Sequence, residues 1–167
     1  MKTRIIVVRH GESTFNVKRI IQGHHDESVL TDRGEAQARQ VGQLLKKVSL
    51  DAVFCSPLKR ARRTAELIAQ ETGFGAPRPH DGLKEISLPL WEALSFDDVE
   101  ARFPDEYRAW RHRPESLAMT VPGAGGQTEV FYPVRAVWSQ AEAFWQQLLA
   151  EQAGKTVLLV AHSAINR

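Results

Sequence analysis

The sequence predicts a three-layer α/β/α fold with a mostly parallel central sheet, built as a single domain over residues 1–167. Two observations carry that reading. Three short apolar runs, Ile5-Ile6-Val7-Val8, Asp51-Ala52-Val53-Phe54-Cys55 and Thr156-Val157-Leu158-Leu159-Val160-Ala161, show no polar alternation. Such runs suit strands buried on both faces, as in a parallel sheet. The intervals between them carry helical spacing, and strands alternating with helices build a parallel sheet covered on both sides.

After the first strand, Thr31 is a plausible N-cap, and Gln37, Val41, Leu44, Leu45 and Val48 follow at helical spacing. After the second strand, Ala61, Ala65 and Ile68 mark a helix from Leu58 to about Thr72, with Gly73 as its stop. From Val134, the positions Val137, Trp138, Ala141, Phe144, Trp145, Leu148 and Leu149 form an amphipathic stripe that ends before Gly154. Trp138 and Trp145 are assigned to the core on that spacing. The middle, about 74–132, is broken by six prolines from Pro77 to Pro122 and by Gly123, Gly125 and Gly126. It reads as an irregular insertion over one end of the sheet, either carrying substrate contacts or serving as a plain connector. Within it, Ser95-x-x-Asp98 has the form of a capping box. The last buried-type strand is followed only by His162 to Arg167, which reads as a shortened chain, because such a strand ordinarily has a covering element after it.

Composition narrows the function classes. Lys plus Arg is 22 and Asp plus Glu is 20, a net charge of +2. That is too small for a general nucleic-acid binder. The single cysteine, Cys55, excludes a disulfide framework and a Cys-rich zinc module. No apolar run approaches the roughly 20 residues that span a bilayer. The four apolar residues before Arg9 are too few for a signal-peptide core. The expectation is a cytoplasmic protein without nucleic-acid or membrane partners; a free sheet edge leaves a homodimer open.

Ligands of open α/β sheets bind beyond the carboxyl ends of the strands. Here those ends carry Arg9-His10-Gly11-Glu12, Ser56-Pro57-Leu58-Lys59-Arg60 and His162-Ser163. Two arginines and two histidines at one edge suit a phosphoryl group. Guanidinium forks bind its oxygens, and a neutral imidazole serves as nucleophile. Nearby cations disfavour imidazolium and keep that lone pair free. One His beside an Arg is ordinarily a surface pair; three strand ends bearing such residues weigh against that reading.

These residues also resemble a known family. Arg9-His10-Gly11-Glu12-Ser13, Gln22-Gly23-x-x-Asp26 with Leu30-Thr31, Ser56-Pro57-Leu58-x-Arg60-Ala61-x-x-Thr64-Ala65, Leu83-x-Glu85-Ile86 with Trp91-Glu92, and Val160-Ala161-His162 resemble, in order, the blocks of the histidine phosphatase superfamily, the phosphoglycerate mutase-like proteins. The resemblance implies that His10 is the nucleophile, passing through a phosphohistidine. Arg9, Arg60 and His162 would hold the phosphoryl oxygens, and Asn16, Gly23 and Ser163 would contact phosphate or substrate. Glu85 would protonate the leaving oxygen and then activate water; a carboxyl beside a bound phosphate is pushed towards the protonated form a general acid needs. The arginines supply the positive charge, so neither metal nor cofactor is implied.

The sequence departs from the family pattern at Leu88-Pro89-Leu90 and Ala93, where glycines usually flank the Trp-Glu pair, and at Gln127, where a Glu is usual. The implied activity is a metal-independent phosphomonoesterase acting on a small phosphorylated metabolite of the sugar phosphate, phosphoglycerate or phosphoserine class. The alternatives are a cofactor-dependent phosphoglycerate mutase and a non-catalytic phosphate-binding relative.

Other motifs fall away. Gly154-Lys155-Thr156 precedes its strand, and Leu149 stands where a nucleotide P-loop has its first glycine. No strand is predicted before Gly123 and Gly125, and Thr128 stands where a dinucleotide fingerprint has its last glycine. His24-His25-Asp26-Glu27 is the best metal candidate, but adjacent residues rarely converge on one ion, so the segment reads as a solvated loop. Cys55 reads as a small core residue.

Overall fold

The three apolar runs become neighbouring parallel strands, with the last of them in the middle. The structure, a computed structural model, describes residues 2–167. In chain order the elements are β1 (Arg4–Arg9), α1 (Thr14–Val17), α2 (Asp32–Leu45), β2 (Ala52–Cys55), α3 (Lys59–Thr72), β3 (Arg78–Pro79), α4 (Phe96–Arg102), α5 (Pro104–His112), β4 (Met119–Pro122), β5 (Thr128–Phe131), α6 (Pro133–Glu151) and β6 (Thr156–Ala161). The main sheet has the order β1-β6-β2-β3, with every pair parallel.

Alternation along the strands sorts the core into two layers, because successive side chains of a strand point to opposite faces. Val53, Cys55, Leu158 and Val160 pack with Ala65 and Ile68 of α3 and with Val41 and Leu45 of α2. Ala52, Phe54, Val157, Leu159 and Ala161 pack with Phe144 and Leu148 of α6. The result is the three-layer α/β/α arrangement. The helix boundaries follow local chemistry: the Thr31 hydroxyl accepts from Gly34 N at 3.0 Å to open α2, and α3 runs from Lys59 to a left-handed Gly73. Cys55 is buried, and burial pushes its thiol up to about 11.

Three expectations need correction. β2 and β6 are buried on both faces, but β1 is an edge strand and Val7 is 45% exposed. An apolar run tells that a strand forms, not that both its faces are covered. Trp138 is 72% exposed, whereas Trp145 packs on the α6-side core. Val7, Val137, Trp138, Ala141, Trp145 and Ile165 instead line an apolar groove of about 530 Å³.

The segment about 74–132 is not merely irregular. It contains β3, α4, α5 and the antiparallel hairpin β4–β5. It also has its own core, in which Ile86, Leu88, Trp91, Val99, Leu117, Met119 and Val121 surround Ile21. Ser95 caps α4, accepting from Asp98 N at 3.0 Å. Ala93 adopts φ +67°, a left-handed conformation that favours glycine. Gln127 is exposed in the turn between β4 and β5. No helix among the described residues is long and apolar enough to cross a membrane.

Candidate active site

The central strand gathers the site. Carbonyls at the end of β6 accept from the residues just beyond its two neighbours: His10 N donates to Ala161 O at 3.0 Å and Ser56 N to Val160 O at 2.9 Å. This brings His10, Ser56 and His162 to one edge of the sheet. The turn after β1 is tight, since a Cβ on Gly11 would lie 2.3 Å from Gly34 O. Thr64 of α3 fastens that turn: its hydroxyl accepts from Gly11 N at 3.1 Å and donates to Arg60 O at 2.8 Å.

His10 is 7% exposed. Its Nδ1 lies 2.7 Å from Gly11 O. A carbonyl only accepts, so Nδ1 carries the hydrogen and Nε2 keeps its lone pair. The His162 ring stands edge-on to it, with centroids 5.2 Å apart. Burial lowers the His10 pKa to about 4; the bond to Gly11 opposes this, and the Arg60 and Arg9 charges add to it. Burial, followed by the Arg60 charge, also holds His162 well below the usual imidazole range. Both rings are therefore neutral near pH 7.

Arg60 is 1% exposed, and its two terminal nitrogens donate to His25 O at 3.1 Å and Gly23 O at 2.9 Å. Burial lowers its pKa to about 10, against the opposing charges of Glu85, Asp26 and Glu92, so it stays cationic at neutral pH. Arg60 Nε and both ring nitrogens of His162 are buried with no protein partner. A buried polar atom without a partner costs about 1–3 kcal/mol; phosphate oxygens would satisfy Arg60 Nε and whichever His162 nitrogen carries the hydrogen. Arg9 ends β1, is exposed, and its side chain makes no hydrogen bond or ion pair among the described residues. Its charge reaches His10, His162 and Arg60.

Glu85 reaches the site but is tied down. Its carboxylate accepts from Ile86 N at 3.0 Å, Ser163 N at 3.1 Å, Ala164 N at 3.0 Å and Ile165 N at 3.3 Å. Ser163 thus contributes its backbone N–H, here turned to Glu85. Asn16 directs Oδ1 at Ser13, accepting from its N–H at 3.1 Å and its hydroxyl at 2.9 Å, within the capping box of α1. Gly23 enters through its carbonyl on Arg60.

The segment after Gln22 is not a solvated loop. His24 Nε2 donates to Glu85 O at 2.6 Å, the His25 ring stacks on Phe15, and Asp26 Oδ1 accepts from Lys59 N at 2.7 Å. These side chains face separate partners, and no group of three or more His, Cys, Asp or Glu among the described residues is placed to hold a metal ion. The sequence gives no role to Thr64, although it lies in the block containing Arg60, and none to the Glu92 side chain.

A probable 2-carboxy-D-arabinitol-1-phosphatase of Arabidopsis thaliana is 37% identical over 164 residues, which is 98% of this chain and 32% of that protein. The chain spans about a third of the length of that relative and of its Triticum aestivum counterpart. A probable phosphoglycerate mutase GpmB of Salmonella choleraesuis is 32% identical over 161 residues, 95% of this chain and 69% of that one. Among solved structures, Bacillus stearothermophilus YhfR superposes with a TM-score of 0.85 at 28% identity, covering 99% of this chain and 76% of that one. The family described as the histidine phosphatase superfamily (branch 1) matches residues 5–167, from the first strand through the buried histidine pair to the turn beyond His162, and this chain belongs to it.

Proposed function

We propose that the chain is a cytoplasmic, metal-independent phosphomonoesterase that hydrolyses a small phosphorylated metabolite through a phosphohistidine. The observation that carries this is His10, with Nδ1–H held by Gly11 O and a pKa of about 4, next to the buried Arg60 and His162. In this reading His10 Nε2 attacks phosphorus, and the ester oxygen departs with a proton from Glu85. Water then attacks the phosphohistidine, giving its proton back to Glu85, and inorganic phosphate leaves. Arg9 and Arg60 balance the charge that builds on the equatorial oxygens. The substrate in this reading is of the sugar phosphate, phosphoglycerate or phosphoserine class. The lone buried Cys55 suits a reducing compartment.

The test is incubation with a labelled phosphomonoester. An acid-labile, alkali-stable label on the protein, absent from His10→Ala, supports the reading; a label retained by His10→Ala overturns it. Turnover is expected to survive excess EDTA. The mutase-named relative motivates a second reading, which predicts interconversion of 2- and 3-phosphoglycerate in place of phosphate release.

A further inference from the structure

Arg60 depends on a loop whose internal backbone bond, His25 N to Gln22 O at 2.8 Å, is supplemented by partners far along the chain. Its terminal nitrogens rest on the carbonyls of Gly23 and His25, two residues of one short turn with Gly23 at φ +47°. A buried guanidinium aims only as accurately as those carbonyls are held. On one side Asp26 ties the turn to Lys59 N, at the start of the helix that carries Arg60. On the other side the His24 ring reaches Glu85 O and the His25 ring stacks on Phe15. The backbone between the two carbonyls is fastened by the Glu92 carboxylate, whose Oε1 accepts from His24 N at 2.9 Å and from Leu88 N at 3.1 Å.

Glu92 is itself rigidly placed. It ends a turn in which Trp91 N and Glu92 N donate to Leu88 O at 2.8 and 3.0 Å. Trp91 is fully buried among Ile86, Leu88, Val99 and Met119. The carboxylate also lies directly over the loop, since a Cβ on Gly23 would stand 2.1 Å from Glu92 Oε1. The glycine therefore answers both to its backbone angle and to this side chain.

We propose that Glu92 is a positioning residue for the phosphate site: by accepting from His24 N it fixes the Gly23–His25 turn, whose carbonyls aim Arg60. It touches no reacting atom. The role needs an acceptor oxygen at that place, not a charge, and it makes the packed middle segment part of the site's support. The inference deepens the phosphatase reading but rests on the anion site alone.

The test is orthovanadate binding by isothermal titration calorimetry, alongside p-nitrophenyl phosphate hydrolysis, on wild type, Glu92→Ala, Glu92→Gln and Gly23→Ala, each below its own melting temperature. A displaced clamp of this kind costs up to about a hundredfold. Glu92→Ala is expected to weaken vanadate affinity about tenfold or more and to lower kcat/KM in parallel. Glu92→Gln, which keeps Oε1 as an acceptor, should stay within about threefold of wild type on the same scale. Gly23→Ala should weaken vanadate as Glu92→Ala does, and it carries the test should Glu92→Ala fail to fold. The proposal is overturned if Glu92→Ala binds vanadate as wild type does, if Glu92→Gln falls as far as Glu92→Ala, or if wild type binds no vanadate. Vanadate binding with the expected losses but no hydrolysis by wild type would overturn the phosphatase reading and leave this inference standing.

Discussion

Lowering the pH tests the surroundings of His10 directly. Its pKa in the folded protein is about 4, against an ordinary 6.5, with burial as the main cause. Between those values the unfolded chain binds a proton that the folded chain refuses, so stability rises with pH through that window. The contribution is complete above pH 6.5 and is lost as pH falls through 4. At about 1.36 kcal/mol per pH unit the whole gap is worth about 3 kcal/mol, of which about 2 kcal/mol is already lost at pH 5. Urea unfolding of wild type and His10→Gln at pH 7.5 and pH 5 isolates it, because His162 and the carboxylates titrate in both proteins. Wild type should lose about 2 kcal/mol more than the variant over that interval. Equal losses would show that His10 is not held neutral by its burial, and the account of the nucleophile would fail. The same pKa puts the acid limb of kcat/KM near pH 4, well below where a solvated imidazole would place it.

Thr64→Val removes the acceptor for Gly11 N–H and the donor to Arg60 O in a buried place. Urea denaturation should show a loss of about 1–3 kcal/mol. Glu85→Gln keeps the shape of the side chain but not its proton. Turnover of an alkyl phosphate should fall about a hundredfold or more, and that of p-nitrophenyl phosphate less, because its leaving group needs no proton. Ala93→Gly relieves a φ of +67°. Thermal denaturation should report a gain of about 0.5–1 kcal/mol, the left-handed strain removed less the added freedom of the unfolded glycine.

The strands and their helices were legible because their signals are local: β-branched runs, helical periodicity, Thr31 as a cap and Gly73 as a stop. The exposure of Val7 and Trp138 was not, because amphipathic spacing names the face of an element without naming what covers it. His10, Arg60 and His162 could be placed together because His10 and His162 directly follow strands and Arg60 opens the helix after one, where the topology of a parallel sheet does the gathering. His24, Asp26 and Glu92 carry no such signal. Polar residues near Gly23 read as solvated, yet the bonds that bury them run to backbone atoms far along the chain: His24 to Glu85 O, Asp26 to Lys59 N, Glu92 to His24 N. Periodicity cannot encode a side chain whose partner is a distant peptide group.

That preference for backbone partners has an electrostatic consequence. Glu85, Glu92 and Asp26 all stand close enough to raise the Arg60 pKa. Had any of them formed a direct ion pair with Arg60, the pair would be nearly neutral, and an incoming phosphate would have to break it. Instead each carboxylate is directed at peptide N–H groups, and the guanidinium at peptide carbonyls. Neutral dipoles hold both partners apart, so the cation keeps its charge for an anion while the carboxylates limit the penalty of burying it. Rotating any one of these carboxylates onto Arg60 would trade anion affinity for a buried salt bridge, which is the failure that the peptide groups around Gly23, Lys59 and Ser163 prevent.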